Sequence, residues 1–252
     1  MRDIITIEAK IGNFIDQNPV QTALTSLGAV LPQGAVIYLV GGAIRNLIIE
    51  FFHGRRPPIE DVDLFVDNVG GDILLTELLP AGRHRKTDLG GVRWKPAGSI
   101  FSVDICLLRD FTIIKKYGLK PHLDNLLNTL DFTMNTVVFD TGRGRLYERG
   151  ALADIRKQRM AFNTQMLYNR TATAYRTLLL RYKTGFMLSP GVFDFVKQAI
   201  DLETLIKVRQ ILATRLGSRT MRAIMDDYDR ICAFEYFDDY RRHALQELSR
   251  GF

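Results

Sequence analysis

Asp61 and Asp63 stand two residues apart in the apolar run DVDLFV, a spacing that points both carboxylates to one face if the run is a β-strand. Two like charges side by side are costly unless a cation lies between them. Hard oxygens of this kind suit two Mg²⁺ ions, or Mn²⁺ in their place, about 4 Å apart, one activating an attacking hydroxyl and one stabilising a leaving phosphate. Asp104, a lone carboxylate in SVDICLL, is the natural third ligand. Taken alone, an Asp-x-Asp pair is also what the polar face of an edge strand looks like, with Asp67 continuing it, and Asp104 could be a strand-end charge. Gly41-Gly42, about twenty residues earlier, permits close backbone approach at the start of a helix, where phosphate is attracted, and Arg45 lies one turn on. By itself that pair also fits an ordinary tight turn.

The elements that must position these groups follow from periodicity. Residues 1–34 read as a helical lead-in, with Ile4, Ile7, Ile11 and Phe14 at three-to-four spacing, then Ala23, Leu24 and Leu27. AVIYLV (35–40) is a β-rich run, followed by the glycine pair and the helical AIRNLIIEFF. HGRRPP is a loop, DVDLFV a second strand, and 72–80 a short helix closed by Pro80. The basic, glycine-containing stretch GRHRKTDLGGVRWKPAGS leads into FSVDICLL (101–108), a third strand, with Lys95 to Gly98 as a hairpin turn between it and a strand around Val92 to Trp94. A further strand is expected at Thr136 to Phe139. From about Ala151 the character turns helical, with periodic stretches at 171–187, 191–211 and 218–248 broken at Ser189-Pro190-Gly191 and Leu216-Gly217-Ser218. The expected division is a mixed α/β domain over 1–160 and an all-helical domain over 161–252.

In that order the motifs resemble a known family. LVGGAIRN followed by EDVDLF is similar to the signature of the polymerase-beta nucleotidyltransferase superfamily, in particular the head domain of the tRNA nucleotidyltransferase (CCA-adding) and bacterial poly(A) polymerase family. VDICLLRD resembles its third carboxylate strand, which ends in an arginine, here Arg109; LDFTMNTVVFD resembles its RDFTINA-type motif; GALADI resembles the segment that closes the head. AYRTLLLRYKTGF (174–186) is similar to the arginine-bearing first neck helix. The resemblance implies a polymerase-beta-type α/β head with a mixed sheet and a helical neck-like domain. It implies that Asp61, Asp63 and Asp104 hold two metal ions, and that Gly41, Gly42 and Arg45 hold the triphosphate, with Asn46 next to them in the nucleotide-binding group. Asp131 and Asn135 would shape the nucleotide pocket, and of the two nucleotide-binding candidates on the neck helix Arg176 fits one family arginine position while Arg181 is near another but out of register. Without the family, Asp131 and Asn135 read as a turn cap, and the two arginines as solvated helical charges.

The departures bear on substrate. Asn46 stands where the family motif has Asp, and Leu130 replaces an arginine before DFT. The acidic-then-arginine motif that reads the nucleobase should fall at 169–173, where this chain has Asn169, Arg170, Thr171, Ala172 and Thr173. Arg83, Arg85, Lys86, Arg93 and Lys95 surround Trp94, a pattern that suits an RNA backbone with a stacked base and equally a solvated charged surface.

Composition sets the outer bounds. The 252 residues are 46% hydrophobic, enough for a substantial core, and the net charge of +6 tilts toward an anionic partner. The two cysteines sit in apolar stretches, and the four histidines never reach zinc-ligand spacing, which leaves carboxylates as metal ligands. No run approaches the ~20 apolar residues that span a bilayer, and the expected location is cytoplasmic. The reading is transfer of a nucleoside monophosphate from ATP or CTP to an RNA 3′ end, tRNA being favoured. The alternatives are the same chemistry on a protein or small molecule, and a non-catalytic RNA- or partner-binding descendant.

Overall fold

In the computed structural model of the protein, the alternation in DVDLFV becomes a strand whose Val62, Leu64 and Val66 are buried while Asp61, Asp63 and Asp67 are half-buried. The structure describes residues 2–71, 73–79, 81–97, 102–166 and 168–250. Pro80, Gly98 and Phe101, which enter the expectations for a helix end, a hairpin turn and a strand start, lie outside them. The chain forms two compact units, Met1–Leu130 with Asn135–Leu152, and Asp131–Met134 with Ala153–Phe252.

The first unit opens with helices α1 (Arg2–Ile15) and α2 (Asn18–Val30). Helix α1 buries Ile7, Ile11 and Phe14, whereas Ile4 stays exposed. Strand β1 (Val36–Val40) runs through Gly41 into α3 (Gly42–His53), which Gly54 closes in the left-handed conformation. Then come β2 (Asp61–Asp67), a single turn α4 (Leu75–Leu78), β3 (Gly82–Lys86), β4 (Val92–Pro96) and β5 (Ser102–Leu107). After them follow α5 (Thr112–Lys116), α6 (Leu123–Thr129), β6 (Val137–Asp140), β7 (Arg145–Glu148) and α7 (Ala151–Arg156), which runs on into the second unit.

The seven strands form one mixed sheet in the order β3-β4-β5-β2-β1-β6-β7, with β2 and β5 parallel and the other neighbours antiparallel. Register divides the faces. Phe139, Leu39, Leu64, Ile105 and Val92 lie in one cross-strand row and are all buried. One residue along each strand the facing alternates, and the adjacent row reads Val40, Asp63, Asp104, Arg93, Arg85. Helix α3 packs on β1, β2 and β6 and buries Ile44, Leu47 and Ile48, so the helix that begins at the glycine pair is anchored to the strand that carries Asp61 and Asp63.

In the first unit the structure departs from the sequence expectation at several points, and Lys95 and Pro96, expected in a hairpin turn, belong to β4. GRHRK, read only as a basic stretch, is the edge strand β3, and residues 72–80 supply four helical residues within 73–79. Cys106 is buried and its thiol is pushed up to about 12 by that burial; Cys106 and Cys232 are both free thiols.

The second unit contains the two-stranded parallel pair β8 (Arg159–Met160) and β9 (Met187–Leu188) with helices α8 (Arg170–Thr184), α9 (Pro190–Asp194), α10 (Leu202–Cys232) and α11 (Phe237–Arg250). A π-helical turn at 195–199 follows α9 and ends before 202, dividing the expected 191–211 helix. Within α10 the helix breaks at Gly217 (φ 81°, ψ 163°), the break expected from Leu216-Gly217-Ser218, and 233–236 separates α11 from what reads as one stretch in the sequence. Tyr240 of α11 stacks on Phe193, and its hydroxyl accepts a bond from the Leu188 amide at 2.9 Å.

Candidate active site

Three carboxylates meet on the sheet face opposite the apolar row. Asp63 of β2 lies beside Asp104 of β5 in the parallel register, and Asp61 shares the face two residues earlier. Gly41 borders them: it has φ 74° and ψ −126°, a conformation that favours glycine, and a Cβ added there would lie 3.5 Å from Asp63 Oδ2. The amides of the first turn of α3 have no intrahelical partner, and this positive helix end therefore begins next to Asp63.

Arg93 closes the cluster from β4. The register sets it opposite Asp104, and its Nε and Nη2 each donate to an Asp104 oxygen at 2.6 Å while Nη2 also reaches Asp61 Oδ2 at 3.1 Å. The bond to Asp104, with the charges of Asp104, Asp61 and Asp63, holds the guanidinium well above its usual range against the opposing effect of burial. Sequence reasoning assigned Arg93 to RNA binding with the rest of the hairpin. Its side chain is instead spent within the acidic cluster, and nothing local in the sequence signals this, because the pairing depends on strand register.

The residues implied for the nucleotide pocket divide between the units. In the first unit Arg45 is 5% exposed at the start of α3, donating from Nε to Asn46 Oδ1 at 3.0 Å and from Nη1 to Asn135 Oδ1 at 2.7 Å. Asn46 donates to the carbonyls of Pro57 and Pro58 at 3.3 and 3.0 Å, fastening the loop that leads into β2. In the second unit Arg176 of α8 binds the carboxylate of Asp131, whose other oxygen accepts the Phe132 amide at 2.9 Å. Arg181 is 4% exposed, with Asp227 and Glu247 each 3.7 Å away; its charge is directed to α10 and α11. Asn169 caps α8 by accepting the Ala172 amide at 2.8 Å, and Arg170 pairs with Asp201 at 3.1 Å. The segment where the family's base-reading motif would fall is thus the start of a helix.

The basic hairpin is exposed along all of β3. Arg83 pairs with Lys95 and Arg85 with Arg93, which puts Arg83, Arg85 and Lys95 on the carboxylate face. Lys86 pairs with Val92 and takes the other face. Trp94 does not serve for stacking: strand alternation turns it into the core, where it is 1% exposed.

Carboxylate oxygens at Asp61 and Asp63 are the donors that Mg²⁺ or Mn²⁺ takes. Both oxygens of Asp104 are engaged by Arg93, and among the described residues no group of three or more acidic, histidine or cysteine side chains is arranged to hold an ion. The donors suit an ion at Asp61 and Asp63; they do not suit one shared with Asp104 while Arg93 is seated there.

The fold is that of the CCA-adding enzymes. A CCA-adding enzyme with CTP superposes with a TM-score of 0.59 at 18% identity, over 90% of this chain and 54% of that one. A CCA-adding enzyme with ATP gives 0.59 at 19%, over 85% and 52%. The Thermotoga maritima CCA-adding enzyme complexed with tRNA gives 0.57 at 19%, over 90% and 54%. The chain spans about half the length of these proteins. No protein-family model and no curated protein sequence matches it.

Proposed function

We propose that this chain transfers a nucleoside monophosphate from ATP or CTP to the 3′ hydroxyl of an RNA, a tRNA-like acceptor being favoured, and releases pyrophosphate. The observation that carries the reading is the juxtaposition of Asp61, Asp63 and Asp104 with the glycine start of α3 on one sheet face. The fold it shares with CCA-adding enzymes that bind CTP, ATP and tRNA supports the same reading.

In the reaction the acceptor oxygen forms a bond to the α-phosphorus as the bond to the β-phosphate oxygen breaks, and the hydroxyl proton leaves to water. A divalent ion, Mg²⁺ or Mn²⁺, held by Asp61 and Asp63 would neutralise phosphate charge and lower the barrier to loss of that proton. The first-turn amides of α3 take triphosphate oxygens. Buried Arg45, oriented by Asn46 and Asn135, adds fixed positive potential behind them. Arg83, Arg85 and Lys95 receive the acceptor's phosphates on the same face.

A second reading, a non-catalytic RNA-binding descendant, is favoured by one observation, the guanidinium seated on Asp104. The two are separated by incubating the protein with each α-labelled NTP, Mg²⁺ and total cellular RNA. Wild type should label RNA, and Asp61→Ala/Asp63→Ala should lose at least about 10³-fold in rate, the scale of removing preorganised charge stabilisation. Equal labelling by that double variant sinks the carboxylate assignment, whereas RNA binding without labelling by wild type supports the second reading.

A further inference from the structure

The contact between Arg93 and Asp104 is built into the sheet. β4 and β5 pair with these residues opposite each other, and the neighbours of Arg93 along the strand, Val92 and Trp94, are buried and fix where its side chain leaves the backbone. Two donors of the guanidinium match the two oxygens of Asp104 at 2.6 Å each, the fork geometry that makes arginine–carboxylate pairs strong and directional. A third contact, at 3.1 Å, reaches Asp61.

We propose that Arg93 is the resident cation of this site, standing at Asp104 in place of a second metal ion, so that each chain takes one divalent ion, at Asp61 and Asp63. The inference rests on the proposed role of Asp61 and Asp63 as metal ligands. Arg93 acts here as a positioning residue: it holds Asp104 and supplies half the charge of the ion it replaces. An arginine cannot leave with pyrophosphate or exchange with solvent ions, so the charge at Asp104 is present whether or not nucleotide is bound.

The test counts ions. The full chain is titrated with Mn²⁺ in the presence of α,β-methylene-ATP, free Mn²⁺ is read by electron paramagnetic resonance, and the ions taken by the nucleotide alone are subtracted. Wild type should bind one Mn²⁺, and Arg93→Gln and Arg93→Leu should each bind two. Adding Asp104→Asn to Arg93→Gln should return the count to one. Circular dichroism of each variant confirms that it is folded, and because the side chain of Arg93 is half-exposed, shortening it leaves no sealed cavity in the core. Two ions in wild type, or one in both neutral variants, overturns the proposal. No ion in wild type or in any variant overturns the reading of Asp61 and Asp63 as ligands, and the proposal falls with it.

Discussion

Asn46 shows what replacing a carboxylate by an amide does at a motif position. The family resemblance puts Asp there, and the sequence alone suggests that the amide weakens whatever the carboxylate would hold. Its oxygen still receives Arg45 Nε at 3.0 Å, and its nitrogen donates to the Pro57 and Pro58 carbonyls, a bond that a carboxylate cannot make because it only accepts. Asn46→Asp, although it restores the family residue, should therefore set a buried carboxylate against two carbonyl oxygens and cost about 1–3 kcal/mol. Urea unfolding of the variant measures this, and a gain in stability would mean that the attraction to Arg45 outweighs the two missing hydrogen bonds. At this scale Asp61, Asp63 and Asp104 were legible because each shows itself locally, as a period of two or as a lone charge in an apolar run. Arg93 and Arg181 were not. Their partners, Asp104 for one and Asp227 and Glu247 for the other, are brought to them by strand register and by helix packing that no local pattern encodes.

Among the elements, β1, α3 and β2 were readable from short apolar runs and a glycine pair, whereas β3 was not. GRHRK has no apolar alternation and every residue is exposed; it is a strand only because β4 offers it an edge. The turn that brings it back is determined by close packing. Gly90 has φ 88°, and a Cβ there would sit 2.2 Å from the Asp110 carbonyl oxygen, while one on Gly91 would sit 2.5 Å from that of Ile105. Gly90→Ala should thus strain the backbone and push the hairpin turn off the segment after β5, destabilising the first unit by about 1–3 kcal/mol. Thermal unfolding should show a lower midpoint, and an unchanged one would mean that the turn can move away without cost. Among the helices, the break at Gly217 was visible because glycine marks it, but the end of α10 at Cys232 has no such residue.

For the molecule as a whole, the net charge of +6 matters through where the charge lies. Adjacent strands are about 4.8 Å apart, so edge strand β3 stands roughly 14 Å across the sheet from β2. In the proposed reaction a phosphate backbone would rest on Arg83, Arg85 and Lys95 while a free 3′ end extends over that separation toward Asp61 and Asp63. On the proposed reading the acids would repel the same backbone and keep it at the edge until a cation covers them. Each phosphate contact to a single strand contributes about −0.7 to the slope of log affinity against log salt. Removing Arg83, Arg85 and Lys95 together by alanine should then flatten that slope by roughly 2. Lys86→Ala, on the other face, should leave it nearly unchanged. Fluorescence anisotropy of a labelled single-stranded RNA between about 50 and 200 mM salt reads both. A slope that responds equally to Lys86 would mean that the charge of the hairpin attracts RNA without orienting it. A slope that responds to neither would move the RNA surface away from β3 and leave the acidic face to a small-molecule or protein acceptor.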